Sequence, residues 1–141
     1  INLALKKLPK FKAFRNINLP LGELLQVTIH LNSESLDSLK ECFDQTKSNR
    51  ISNSPFIDLT IPSVMDRTLC PEGYFIMNAL MQYTPYHSNM HKKHDKKHEI
   101  KHSMVREAFL DTVNEYLDEP LDIHYMDILT PFDLERLLGM T

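Results

Sequence analysis

Glycine is scarce. Only Gly22, Gly73 and Gly139 occur in 141 residues, and no two are close. A GxGxxG turn or a Walker A loop needs two or three glycines within a few positions. These residues therefore build neither a Rossmann nor a P-loop phosphate cradle. Cysteine is scarce too. Cys42 and Cys70 lie far apart, which excludes a CxxC motif and a Cys-only zinc site. They read as thiols of a reduced intracellular chain. No apolar run approaches the ~20 residues of a membrane span. Positive charge is not in excess: 16 Lys and Arg face 19 Asp and Glu, for a formal charge of -3. Basic residues are not interleaved with aromatics, so neither a basic field nor a stacking platform for nucleic acid is present. Lys6, Lys7, Lys10 and Lys12 break up the N-terminal apolar residues, which does not fit a signal peptide.

What is there suits a packed domain. Hydrophobic residues make up 42% and charged residues 25%. A chain of this size buries roughly 70% of its unfolded surface. The sequence opens on Ile1 in strand-like alternation and closes after a helix with a glycine cap, as expected of a piece of a larger protein.

The hydrophobic pattern predicts elements in the order β–β–α–β–β–α–α. Residues 1–8 read as a short strand, and Lys6 to Arg15 as a solvated basic stretch. Leu24–Leu31 reads as a strand with Leu25, Val27, Ile29 and Leu31 on one face. Asn32 or Ser33 is the expected N-cap of an amphipathic helix over 34–46, with Leu36, Leu39, Cys42 and Phe43 as its stripe. Cys42 reads as a core residue. Phe56–Ile61 alternates as a strand stopped by Pro62. Tyr74–Tyr83 is the most apolar stretch and reads as a strand covered on both faces. Asn78 and Gln82 then share a face with Leu80. A helix carries Val105, Phe109, Val113, Tyr116 and Leu117 on one side and ends at Pro120. Asp111, Glu115, Asp118 and Glu119 read as its solvated face. Thr130-Pro131-Phe132-Asp133 is a helix start with Leu134, Leu137 and Leu138 behind it and Gly139 as its C-terminal cap. The sum is an α+β fold with an antiparallel or mixed sheet and flanking helices.

Residues 87–102 differ in composition. His87, His91, His94, His98 and His102 alternate with lysines. On a helix reaching back to residue 87 they would fall near one stripe, where imidazoles one turn apart can share Zn2+ or Cu2+. Flanking lysines repel a cation, and a specific site usually adds a carboxylate or thiol ligand and a second shell. His91, His94, His98 and His102 are thus the candidates of a histidine-rich metal-binding reading, against a solvated variable segment. Low-complexity drift produces such runs. His30 and His124 read as structural histidines. No Ser/His/Asp or Cys/His arrangement stands out by spacing.

Three blocks are more specific: FIDLTIPSVMDRTLCPEGY (56–74), MQYTPY (81–86) and DILTPFDLERLLG (127–139). Together with INLALKKLP (1–9) and IHLN (29–32), they resemble the phytoene desaturase-related FAD oxidoreductases over nearly the whole chain. The departures are Arg67, Cys70-Pro71-Glu72, Phe132 and the His/Lys-rich block 87–102, which has no counterpart in composition. The resemblance implies that residues 1–141 are the inserted substrate domain of a larger FAD/NAD(P)-binding, Rossmann-type oxidoreductase, with the FAD-binding parts outside the chain. It implies FAD as cofactor and a hydrophobic small-molecule substrate. Asn78, Gln82, Tyr83, Tyr86 and His30 are the resulting pocket candidates, with no catalytic acid or base assigned. Animal members of this kind imply the mitochondrial matrix, a regulatory role and a respiratory-complex subunit as partner. The alternative is a non-catalytic interaction module of the same fold.

Overall fold

The computed structural model describes residues 1–88 and 98–140. In chain order the elements are β1 (Asn2–Leu5), α1 (Leu21–Leu24), β2 (Ile29–Leu31), α2 (Leu36–Lys47), β3 (Ile57–Thr60), β4 (Phe75–Met81), β5 (His87–Ser88), β6 (His98–Glu99), α3 (His102–Glu115), β7 (Ile123–Asp127) and α4 (Pro131–Leu138). Five strands form one antiparallel sheet in the order β2-β3-β4-β1-β7. β5 and β6 pair separately. The fold is α+β, as expected, and the sheet is antiparallel rather than mixed.

One face of the sheet carries the core. Leu3, Leu5, Leu31, Ile57, Leu59, Met77 and Ala79 are buried there, and Val105, Phe109, Val113 and Leu117 of the α3 segment belong to the same cluster. Alternation along the strands produces this, since every second side chain points one way. Burial of these apolar surfaces is the main force holding helix to sheet. Past β3, Pro62 ends the ladder and a 3-10 turn follows over Pro62–Val64. Fully buried Ser63 repairs the gap: its Oγ accepts from the Ile76 amide at 2.8 Å.

The N-terminal basic stretch is more than a solvated loop. It meets the C-terminal end of α3. The Lys12 amide donates to the Tyr116 carbonyl, and the Asp118 amide to the Lys10 carbonyl, both at 2.9 Å. Lys12 Nζ donates to the Glu115 carbonyl at 2.6 Å, where the helix dipole favours a cation. Arg15 Nε donates to Asp118 Oδ1 at 2.6 Å. The acids 115–119 are therefore partly spoken for.

Several expectations need correction. Leu24–Leu31 is not one strand: Leu21–Leu24 is a helical turn entered through Pro20, and the strand begins at Ile29. Val27 is exposed, so the four-residue apolar face does not form. The N-cap of α2 is Ser35, whose hydroxyl accepts from the Ser38 amide. Asn32 is used otherwise. It takes a left-handed φ of 59°, and its side chain donates to the Pro55 carbonyl and accepts from the Tyr116 hydroxyl. Only Cys42 of the α2 stripe is buried; Leu36 and Phe43 are exposed. β4 is covered on one face, not both, because Asn78 and Leu80 are open. β7 was not anticipated. α3 begins at His102, and the backbone at 87–88 and 98–99 is strand, so a helix bearing all five histidines on one stripe does not form. Thr130, Pro131, Asp133 and Gly139 occupy the expected cap positions of α4.

Candidate functional site

Among the described residues no element covers the sheet face opposite the core, whose side chains are half-buried to exposed. Register places its side chains in three rows. His30 of β2 lies beside Asp58 of β3, which lies beside Leu80 of β4. Thr60, Asn78, Asn2 and Asp127 form a second row across β3, β4, β1 and β7. Ile76, Ala4 and Tyr125 form the third. Leu80 is 59% exposed and Tyr125 63%. An antiparallel sheet with a solvated face ordinarily alternates to polar residues there. Here a polar end, a polar middle row and an apolar end share one surface.

The polar end is tightly organised. His30 Nδ1 and Asp58 Oδ1 form a hydrogen-bonded pair across β2 and β3. Asp58 Oδ2 accepts from Gln82 Nε2 at 2.6 Å. One carboxylate thus joins three segments, with a separate bond to each oxygen. Its side chain is 20% exposed, whereas that of His30 is 54% exposed. The His30 ring also tilts against Phe56, with centroids 6.1 Å apart. Because a carboxylate accepts only, the neutral imidazole that bonds to it carries its proton on Nδ1 and leaves the Nε2 lone pair free.

His30, Asn78 and Gln82 of the expected pocket residues lie on this face. Tyr83 and Tyr86 do not. Tyr83 turns the chain with a φ of 56° and packs on Phe43 of α2, centroids 5.6 Å apart. Tyr86 donates its hydroxyl to Glu135 and meets Phe132, both on α4. Sequence reasoning missed Asp58, although its place on the polar side of Phe56–Ile61 was visible. It also missed Asn2, Ala4 and Tyr125, which join the face only through long-range pairing. His124 sits in β7 against Tyr74, centroids 4.9 Å apart.

A cleft of about 240 Å³ adjoins the face where Asn2, Leu80, Thr84, Val105, Pro131 and Leu134 meet. Ligand pockets usually measure about 300–1,000 Å³. The cleft is smaller than that.

His91 and His94 lie outside the described residues. His102 pairs with Asp133, Nε2 to Oδ2 at 2.7 Å, and so supports the cap of α4. Among the described residues, no group of three or more His, Cys, Asp or Glu is placed to hold a metal ion. Nor do they cradle a dinucleotide. Gly73 serves the turn before β4 with a φ of 83°, Gly139 caps α4, and Gly22 lies in α1. None opens a strand-to-helix phosphate turn. The residues present therefore do not fit the pyrophosphate of FAD.

Structurally the chain is an α+β domain with a five-strand antiparallel sheet, one face of which carries the core. In sequence it is homologous to two proteins named pyridine nucleotide-disulfide oxidoreductase domain-containing protein 2. The rat protein (Rattus norvegicus) is 35% identical over 143 residues, covering 99% of this chain. The mouse protein (Mus musculus) is 36% identical over the same extent. The chain spans 24% of the length of each, about a quarter. No family model matches the chain, and no solved structure matches it.

Proposed function

We propose that this chain is the substrate domain of an FAD-dependent oxidoreductase related to the phytoene desaturases. On this reading, the open sheet face forms one wall of the cavity for a hydrophobic substrate. The observation that carries it is the uncovered face itself, where Leu80, Ile76, Ala4 and Tyr125 offer apolar contact beside a polar edge. Similarity to proteins named as oxidoreductases over 99% of the chain supports the redox class. The flavin would be held by residues outside this chain and would supply hydride transfer when bound. Residues 1–141 would bind the substrate, orient it and exclude water. Mitochondrial matrix is the location that accompanies this reading.

The test uses the longer protein that carries this stretch. Flavin absorbance after purification is expected. Leu80→Glu should retain the flavin while losing flavin reduction by the substrate pool of a lipid extract. A longer protein without flavin would overturn the reading.

The same exposed face also supports an interaction module, with a respiratory-complex subunit or another protein covering Leu80 and Tyr125. Flavin-free protein that forms a stoichiometric complex through this face would establish that alternative.

A further inference from the structure

We propose that His30 is a proton-transfer residue, held in its working tautomer by Asp58 and Gln82. The inference deepens the reading above, since it takes the open face as the place where substrate lies. Three observations carry it. His30 projects onto the uncovered face and is 54% exposed, so Nε2 is accessible. Asp58 engages Nδ1, which assigns the ring proton to that nitrogen. Gln82 donates to the other carboxylate oxygen at 2.6 Å, which fixes Asp58 against rotation. Among the described residues nothing bonds to Nε2. An imidazole oriented by a carboxylate, itself oriented by a third group, is the arrangement that general-base chemistry uses on unrelated folds.

The step balances without a metal. A substrate O–H or C–H bond within hydrogen-bond reach of His30 breaks, its proton forms an N–H bond at Nε2, and its electron pair stays on the substrate. The resulting imidazolium is compensated by the Asp58 carboxylate. Water then takes the proton from Nε2. Leu80 lies two strands from His30, about 10 Å away, which is the span of a small substrate across the pleat. His30 and Asp58 are the reacting base and its positioning partner; Gln82 positions Asp58.

The test needs neither flavin nor the natural substrate. The probe is p-nitrophenyl acetate, given to the longer protein that carries this stretch. Nε2 attacks the ester carbonyl, p-nitrophenolate leaves, and water clears the acetyl-imidazole. His30→Gln keeps a polar side chain beside Asp58 and should lower the rate by about tenfold, less than the roughly hundredfold or more of a positioned base, because the other six histidines of this stretch also attack the ester. Asp58→Asn should fall between wild type and His30→Gln. His124→Gln, on a histidine with no carboxylate partner among the described residues, should leave the rate unchanged. A His30→Gln rate equal to wild type overturns the proposal. A second reading, independent of any variant's folding, is the 15N spectrum of the wild-type imidazoles. It should show His30 with the proton on Nδ1; a proton on Nε2 overturns the proposal as well. Flavin content of the longer protein is a separate measurement, so failure of the redox reading and failure of the base are told apart.

Discussion

The two faces of the sheet are built from the same strands and obey opposite rules. Leu59 and Leu80 sit on neighbouring strands, one residue out of step in the register. Leu59 is fully buried against the α3 side, whereas Leu80 is more than half exposed. On the first face, apolar side chains meet other apolar side chains and stabilise the fold. On the second, apolar side chains meet solvent, and the strong interactions are polar and confined to one edge. Stability should therefore reside on one face and ligand contact on the other.

The largest expected effect tests the first half of that contrast. Leu59→Ala should destabilise the chain by about 2–5 kcal/mol, the range for deleting a fully buried leucine. The shift of the urea midpoint at unchanged slope measures it. A loss below about 1 kcal/mol would mean that the core face is loosely packed.

A buried polar group comes next. Ser63 lies beneath the end of the β3 ladder, with its hydroxyl on the Ile76 amide. Ser63→Ala removes that acceptor and strands a buried donor, at a cost of about 1–3 kcal/mol. Slow exchange of the Ile76 amide in wild type, and fast exchange in the variant, would locate the effect.

Much of the core face was legible, and the reason is periodicity. Phe56–Ile61 announces β3 because apolar residues recur every second position. Val105, Phe109 and Val113 announce α3 because they recur every fourth. Thr130, Pro131 and Asp133 announce the start of α4 because cap chemistry is local. The open face was less legible, because no period says whether the second side of a strand finds a partner. Tyr74–Tyr83 is apolar at nearly every position, yet only one side of it is covered. β7 escaped notice because Ile123–Asp127 mixes His, Tyr and Asp and becomes a strand only by pairing with β1. The His30–Asp58–Gln82 chain was invisible for the same reason. Its members lie 24 to 28 positions from Asp58, and only the register joins them.

A smaller effect concerns the polar cap beside the wall. Hydrogen bonds from the Thr130 hydroxyl and amide, and then from His102, hold the Asp133 carboxyl below the usual carboxylate range. A depressed folded value means that the unfolded chain binds the proton more readily. The contribution is therefore present above the unfolded value of about 3.9 and is lost as pH falls through the folded one. It should amount to less than about 1 kcal/mol, as for a single helix cap near the surface. Asp133→Asn should flatten the acid limb of a stability–pH curve while leaving the neutral plateau nearly unchanged. An acid limb of unaltered slope would assign acid sensitivity to other carboxylates.

The smallest expected effect on stability is the sharpest test of the comparison. Leu80→Ala removes the same atoms as Leu59→Ala, one strand away and on the other side of the pleat. Leu80 has little apolar cover within the chain, so its stability change should stay within about 0.5 kcal/mol. Its transfer term is small because most of its surface is already in water. Concentration decides what a larger change would mean. If Leu80→Ala costs more than about 1 kcal/mol only at high protein concentration, a second copy covers the face, since self-association stabilises by mass action. If the change is small at every concentration, the face is free in the isolated chain, and the contact surface that Leu80 and Tyr125 offer is available to a ligand or to the rest of a larger protein.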